Sequence, residues 1–190
     1  MDRSFAEHLL AEAGNLNPGA WIPHCRFTAR AAEGIARRCE LNPDLAYTLG
    51  LLHDIGRRFG VCKIRHSYEG FCFLNSLGYP VHARICITHS YNLKDMAIFD
   101  HQNDYLPGEQ SFVSDFIHAA EYDDYDRLIQ LSDCLALPDR VCRLEDRIAD
   151  ILSRTENPNE LFRRNLHEKY RLLEYFREKS GSDLEFLYRG

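Results

Sequence analysis

The sequence has no apolar run long enough to span a bilayer, which excludes a membrane-spanning helix. It has no surplus of basic residues either. The 190 residues carry a formal net charge of −6, which argues against general affinity for nucleic-acid backbones or anionic membranes. The seven cysteines are odd in number and include no Cys-x-x-Cys pair. Neither a zinc nor a disulfide framework fits Cys25, Cys39, Cys62, Cys72, Cys86, Cys134 and Cys142. They are expected to be reduced core thiols of a cytoplasmic protein. No repeat, low-complexity run or linker divides the chain, and no segment alternates apolar and polar residues as a half-buried strand would. The opening MDRSFAEHLLAEAG has acidic residues inside its apolar stretch, so it predicts an amphipathic helix and no secretory signal.

What is there is a globular composition, 45% hydrophobic with 10 Tyr and 11 Phe, written almost entirely in helical spacing. Helices are expected at about residues 4–13 with Ser4 as a possible cap, 23–39, 43–54 with Pro43 in the first turn, 66–77 stopped by Gly78, and 80–89 opened by Pro80. A basic connector, RRFGVCKIR, follows the third helix. Residues 91–110 are expected to form a long loop. Further helices are expected at about 111–121, 126–137, 138–153 and 158–179. The last two are charged on one face and read as packing helices without chemistry. The expectation is one all-α domain over residues 1–190, with a site-bearing core at about 23–137 and packing helices at about 138–190.

Five of these helices place an ionisable side chain on the apolar stripe. His24 shares a face with Phe27, Ala31 and Ile35; His53 with Ala46, Leu49 and Gly50; His66 with Gly70, Phe73 and Leu74. His89 lies with Val81 and Ile85, and Asp133 with Ile129, Ala136 and Leu137. Asp54, beside His53 in LLHDIGRR, adds a sixth. Each histidine taken alone also fits an ordinary hydrogen-bonded core residue. Six inward groups together call for a common partner, because an unpaired buried charge costs roughly 3–5 kcal/mol. A divalent metal, or a pair, supplies it. Arg57 and Arg58 follow at once, placed to hold a substrate anion beside the metal. His82, on a partial face with Cys86 and His89, is the alternative ligand. His8, His118 and His167 fall off the apolar stripes and are expected at the surface. His101, in the long loop, could reach a substrate but is also expected at the surface.

This ordered set resembles the HD-domain metal-dependent phosphohydrolases. The resemblance rests on His24, on His53-Asp54 in LLHDIG and on Asp133 in DRLIQLSDCLA. His66 in HSYEGF and His89 in ICITHS resemble two further histidines of the subgroup that binds two metals. The chain is most similar to the small single-domain subgroup that includes dinucleoside tetraphosphate hydrolases. It has Ser90-Tyr91-Asn92 where that subgroup has Thr-Thr-Gly, and Arg57 where the family often has Lys.

The resemblance implies one ion on His24, His53, Asp54 and Asp133 and a second on His66 and His89, with Asp54 between them. Asp54 and Arg57 would be catalytic. Arg57, Arg58, Lys63 and Lys94 would bind the substrate, a nucleotide or related small phosphorylated molecule, and Arg65 could assist. Asn92, Lys94, His101 and Tyr105 could cap the pocket from the loop. Such a ligand set suits Fe, Mn, Co, Ni or Zn better than Mg. Two other readings stay open: a di-iron oxygenase on the same ligands, and a nucleotide- or metal-binding regulatory module without turnover. A homodimer through the charged C-terminal helices is also open.

Overall fold

The structure is a computed structural model and describes residues 1–188. Prolines set several helix starts, as the first turn of a helix requires no amide donor. Pro43 opens α3 (Pro43–Leu52), Pro80 opens α5 (Pro80–Thr88) and Pro107 opens α6 (Pro107–Ala119). The other α-helices are α1 (Arg3–Leu16), α2 (Trp21–Ala36), α4 (His66–Ser76), α7 (Asp124–Asp133), α8 (Leu144–Ser153) and α9 (Glu160–Ser180). Three 3-10 turns lie at Ile55–Phe59, Met96–Gln102 and Glu185–Tyr188. No β-strand occurs among the described residues, so the all-α expectation holds. None of their helices is long and apolar enough to cross a membrane.

Several boundaries differ from the sequence expectation. The cap of α1 is Asp2, whose carboxylate accepts from the Phe5 amide at 2.9 Å, and Ser4 lies inside the helix. The expected loop over 91–110 contains the Met96–Gln102 turn, and α6 starts at Pro107, not at 111. Residues 138–143 are not helical. Pro138 disfavours the helical conformation for the residue before it. The chain leaves α7 at Asp133 and makes an isolated antiparallel bridge between Ala136 and Val141. Five cysteines are buried, but Cys62 is only partly so and Cys72 is exposed, so not all seven are core thiols.

Three apolar clusters surround the middle of the molecule. One joins α2, α3, α7 and α9 through Ile35, Leu49, Leu128 and Phe176. A second joins α1, α2, α3 and α4 through Leu10, Ala29, Leu51 and Leu74. A third packs Ile87, Ile98, Ile117 and Phe162. Two glycines allow the close contacts that position the site. A Cβ on Gly50 would lie 2.9 Å from the Ala29 Cα, so α2 and α3 touch backbone to backbone. A Cβ on Gly56 would lie 2.0 Å from the His66 carbonyl oxygen and 2.5 Å from the Gly70 nitrogen, so the Ile55–Phe59 turn sits directly on α4.

Candidate metal centre

The six inward residues lie at helix ends. His24 is in the first turn of α2, and His66 is the first residue of α4. His53 and His89 cap the C-termini of α3 and α5, and Asp133 ends α7. Each of the four histidines directs its Nδ1 to a backbone carbonyl. His53 Nδ1 is 2.7 Å from the Gly50 carbonyl, His66 Nδ1 is 2.6 Å from that of Lys63, and His89 Nδ1 is 3.0 Å from that of Ile85. His24 Nδ1 lies 3.1 Å from the Ala136 carbonyl, which is free because α7 has already ended.

A carbonyl oxygen only accepts, so each Nδ1 carries a proton and each neutral ring has its lone pair on Nε2. These lone pairs face carboxylates. His24 Nε2 is 2.9 Å from Asp133 Oδ1, and His66 Nε2 is 2.9 Å from Asp54 Oδ1. His89 Nε2 lies 3.6 Å from Asp54 Oδ1 and accepts from the Ser90 hydroxyl at 2.9 Å. His53 Nε2 lies between the two acids, 3.9 Å from Asp54 Oδ1 and 4.0 Å from Asp133 Oδ1. The buried His66 Nε2 makes no hydrogen bond in spite of its near neighbour. Two acceptors facing each other at that distance need a positive charge between them.

A divalent cation fits this donor set of imidazole nitrogens and carboxylate oxygens. Three groups have ligand atoms within 4.8 Å of one another: His24–His53–Asp133, Asp54–His66–His89, and Cys25–His53–Asp54. The first two use six different residues. Cys25 in the third is a neighbour that the sequence reading placed only in the core.

Burial disfavours the charged forms of His24 and His89, and cationic neighbours favour the charged forms of both acids. Burial pushes the His24 pKa down although Asp133 opposes it. His89 falls to about 3, through burial and then the neighbouring His53. Burial alone would raise Asp54, but Arg57, and His66 and His53 in their protonated forms, hold it well below the ordinary carboxylate range. Asp133 is likewise pushed up by burial and held well below that range by protonated His24 and His53 and by Arg147.

A family profile for the HD domain matches residues 21–157, most of the chain and all six of these residues. This chain belongs to the HD domain family. The family is in general one of metal-dependent phosphohydrolases. No curated protein and no solved structure matches the chain.

The candidate centre of this HD domain opens into a cavity of about 810 Å³. Of the cationic residues expected to meet a substrate, Arg57 and Lys63 line it. Arg57 donates from Nε to Asp54 Oδ2 at 2.6 Å. Arg58 and Lys94 do not reach this cavity. In the 3-10 turn the neighbour of Arg57 points the other way, and Arg58 lies 3.3 Å from Glu12 with its guanidinium 4.0 Å from the Phe73 ring centre. Lys94 donates to the Ala120 carbonyl and lies over Tyr122. Arg65 is bound to Glu109 and Glu69 and fastens the connector to α6.

Among the expected capping residues, only His101 lines the cavity. Its ring stands edge-on to Phe162 with centroids 4.8 Å apart, so it is partly buried and not a free surface residue. Asn92 contacts Lys169, and Tyr105 is bonded to Ser67 and Tyr91. His8, His118 and His167 are exposed.

The sequence reading assigned no chemistry to α8 and α9, yet these helices supply Arg147, Arg154, Asn165 and Lys169 to the cavity. A signal was present. Arg147 lies on the stripe of Leu144, Ile148 and Ile151, and Lys169 on that of Phe162, Leu166 and Phe176. The test that found the histidines also finds these two.

His82, the alternative ligand, points elsewhere. Its Nε2 is 3.0 Å from the Thr48 hydroxyl, and it belongs to none of the three groups. Burial lowers its pKa to about 4, with the N-terminal amine adding to the effect. Its folded pKa lies below the unfolded value of about 6.5, so as pH falls the unfolded chain binds this proton first. The stabilisation is complete above about pH 6.5 and is lost progressively toward pH 4, a change of about 3 kcal/mol. His82→Gln should therefore lose about 3 kcal/mol less than wild type over that window, read by denaturant unfolding at each pH. Parallel curves would show that His82 protonates freely in the fold.

Proposed function

We propose that this HD domain hydrolyses a phosphate ester or anhydride of a nucleotide or a related small phosphorylated molecule. The observation that carries the reading is the convergence of His24, His66, His89 and two carboxylates on one cavity, with His53 Nε2 behind them between the two acids and Arg57 on the second oxygen of Asp54. His24, His53 and Asp133 would hold one divalent ion, and Asp54, His66 and His89 a second. When bound, such ions supply Lewis-acid polarisation of phosphoryl oxygens and lower the pKa of water. The chain's own groups do the rest. Asp54 directs Oδ1 to the histidines and Oδ2 to Arg57, so it fixes the guanidinium against the ligand set. Arg57 Nη1 makes only a long contact, 3.5 Å, with the Cys62 carbonyl, so both terminal nitrogens can turn to two phosphoryl oxygens, a bidentate geometry that Lys would lack. Lys63, exposed at the cavity wall, adds charge for the incoming anion. What supports a single working unit of 190 residues is that α9, beyond the matched region, lines the same cavity.

The test is metal content of anaerobically purified protein beside His66→Ala, with a screen of nucleotides and dinucleoside polyphosphates for phosphate release. About two ions per chain, falling to about one in His66→Ala, and release from at least one compound are expected. A chain that takes up no metal under any loading condition would sink the hydrolase reading. Oxygen consumption in place of phosphate release would favour an oxygenase on the same ligands.

A further inference from the structure

Two cations on the α8–α9 wall of the cavity lack sufficient partners. Lys169 is 2% exposed; its ammonium donates to Asn92 Oδ1 at 2.6 Å and to the Gln130 carbonyl at 2.9 Å, both neutral. No carboxylate forms an ion pair with it among the described residues. An ammonium has three donors, and these contacts use two. The Arg147 side chain is 9% exposed. One terminal nitrogen is 2.8 Å from Asp150, the other is 3.5 Å from Asp133, and Nε is buried with no partner. Arg154 takes the same Asp150 oxygen at 3.1 Å, so that acid cannot neutralise Arg147 alone. A buried cation without a full counter-charge is destabilising, and two on one cavity wall are suited to receive an anion.

We propose that Arg147 and Lys169 form a second anion subsite, which takes an anionic group of the substrate other than the one presented to the metal centre. The substrate then carries at least two anionic groups, as a nucleoside diphosphate does. The word substrate rests on the hydrolase reading; the subsite itself is read by binding. Calorimetry on the full chain, with manganese in excess, would compare AMP with the non-hydrolysable α,β-methylene analogue of ADP. Wild type should bind the analogue at least about tenfold more tightly, since charge-assisted hydrogen bonds to one more phosphate contribute that much. In R147Q and in K169M the ratio should fall toward one while metal content stays at the wild-type level. A wild-type ratio near one, or variants that keep the wild-type ratio, overturns the subsite. Should R147Q not fold, K169M reads the same ratio alone. A protein that releases phosphate from nothing but keeps the ratio removes the hydrolase reading and leaves the subsite standing.

Discussion

Asp54→Asn is expected to lower phosphate release by on the order of 10³-fold and to reduce metal content by about one ion per chain. Asparagine keeps the size of the side chain but loses its charge. The Asp54 carboxylate is buried, and Arg57 holds its pKa well below the ordinary carboxylate range, so it is an anion at neutral pH. Asparagine has one neutral oxygen, which can face His66 and His89 or hold Arg57 but cannot do both, so either the ligand or the 2.6 Å anchor is lost. Lewis-acid stabilisation supplies several kcal/mol, and about 4 kcal/mol corresponds to that factor in rate. Elemental analysis and single-turnover phosphate release read the two effects separately. Unchanged metal content with a rate within tenfold of wild type would exclude Asp54 from the centre.

Gly56→Ala should be the most damaging single methyl group in the chain. The new Cβ would lie 2.0 Å from the His66 carbonyl oxygen, which is backbone and cannot rotate away. Either the 3-10 turn lifts or α4 shifts, and both separate Asp54 from His66. We expect a loss of about 3 kcal/mol or more in denaturant unfolding, at the upper end for overpacking because the obstacle is main chain. Metal content should fall to about one ion, because His24, His53 and Asp133 do not depend on this contact. Stability within 1 kcal/mol of wild type would mean that the turn and α4 are not packed as described.

Much of this was legible in the sequence for identifiable reasons. Asn42-Pro43 and Pro80 announce helix starts by fixed backbone chemistry, and the apolar period locates the inward face of each helix. His24, His53, His66, His89 and Asp133 were visible because a lone polar group on an apolar stripe stands out. Arg147 and Lys169 occupy the same kind of position but were hidden among many charges on α8 and α9, where charge looks like a solvated surface. Arg57 and Arg58 could not be separated, since adjacent residues diverge in direction only once the 3-10 turn is known. The helix expected from 138 begins only at Leu144, and the break between α7 and α8, where Pro138 disfavours a helical Leu137, leaves the Ala136 carbonyl to His24.

That break has a consequence for how the molecule opens. His53, His66 and His89 each find a carbonyl within four residues, so any fragment that forms the local turn already aims the ring. His24 is aimed by an oxygen 112 residues away. The two halves of the centre thus sit at different depths of cooperative unfolding. Opening α4 and α5 together would dissolve the Asp54–His66–His89 half while α2 and α7 stay docked. The His24–His53–Asp133 half should persist until the whole chain lets go. A tie across it also closes much the longer loop, so as a cross-link it restrains the unfolded chain by about 1 kcal/mol more than its twin.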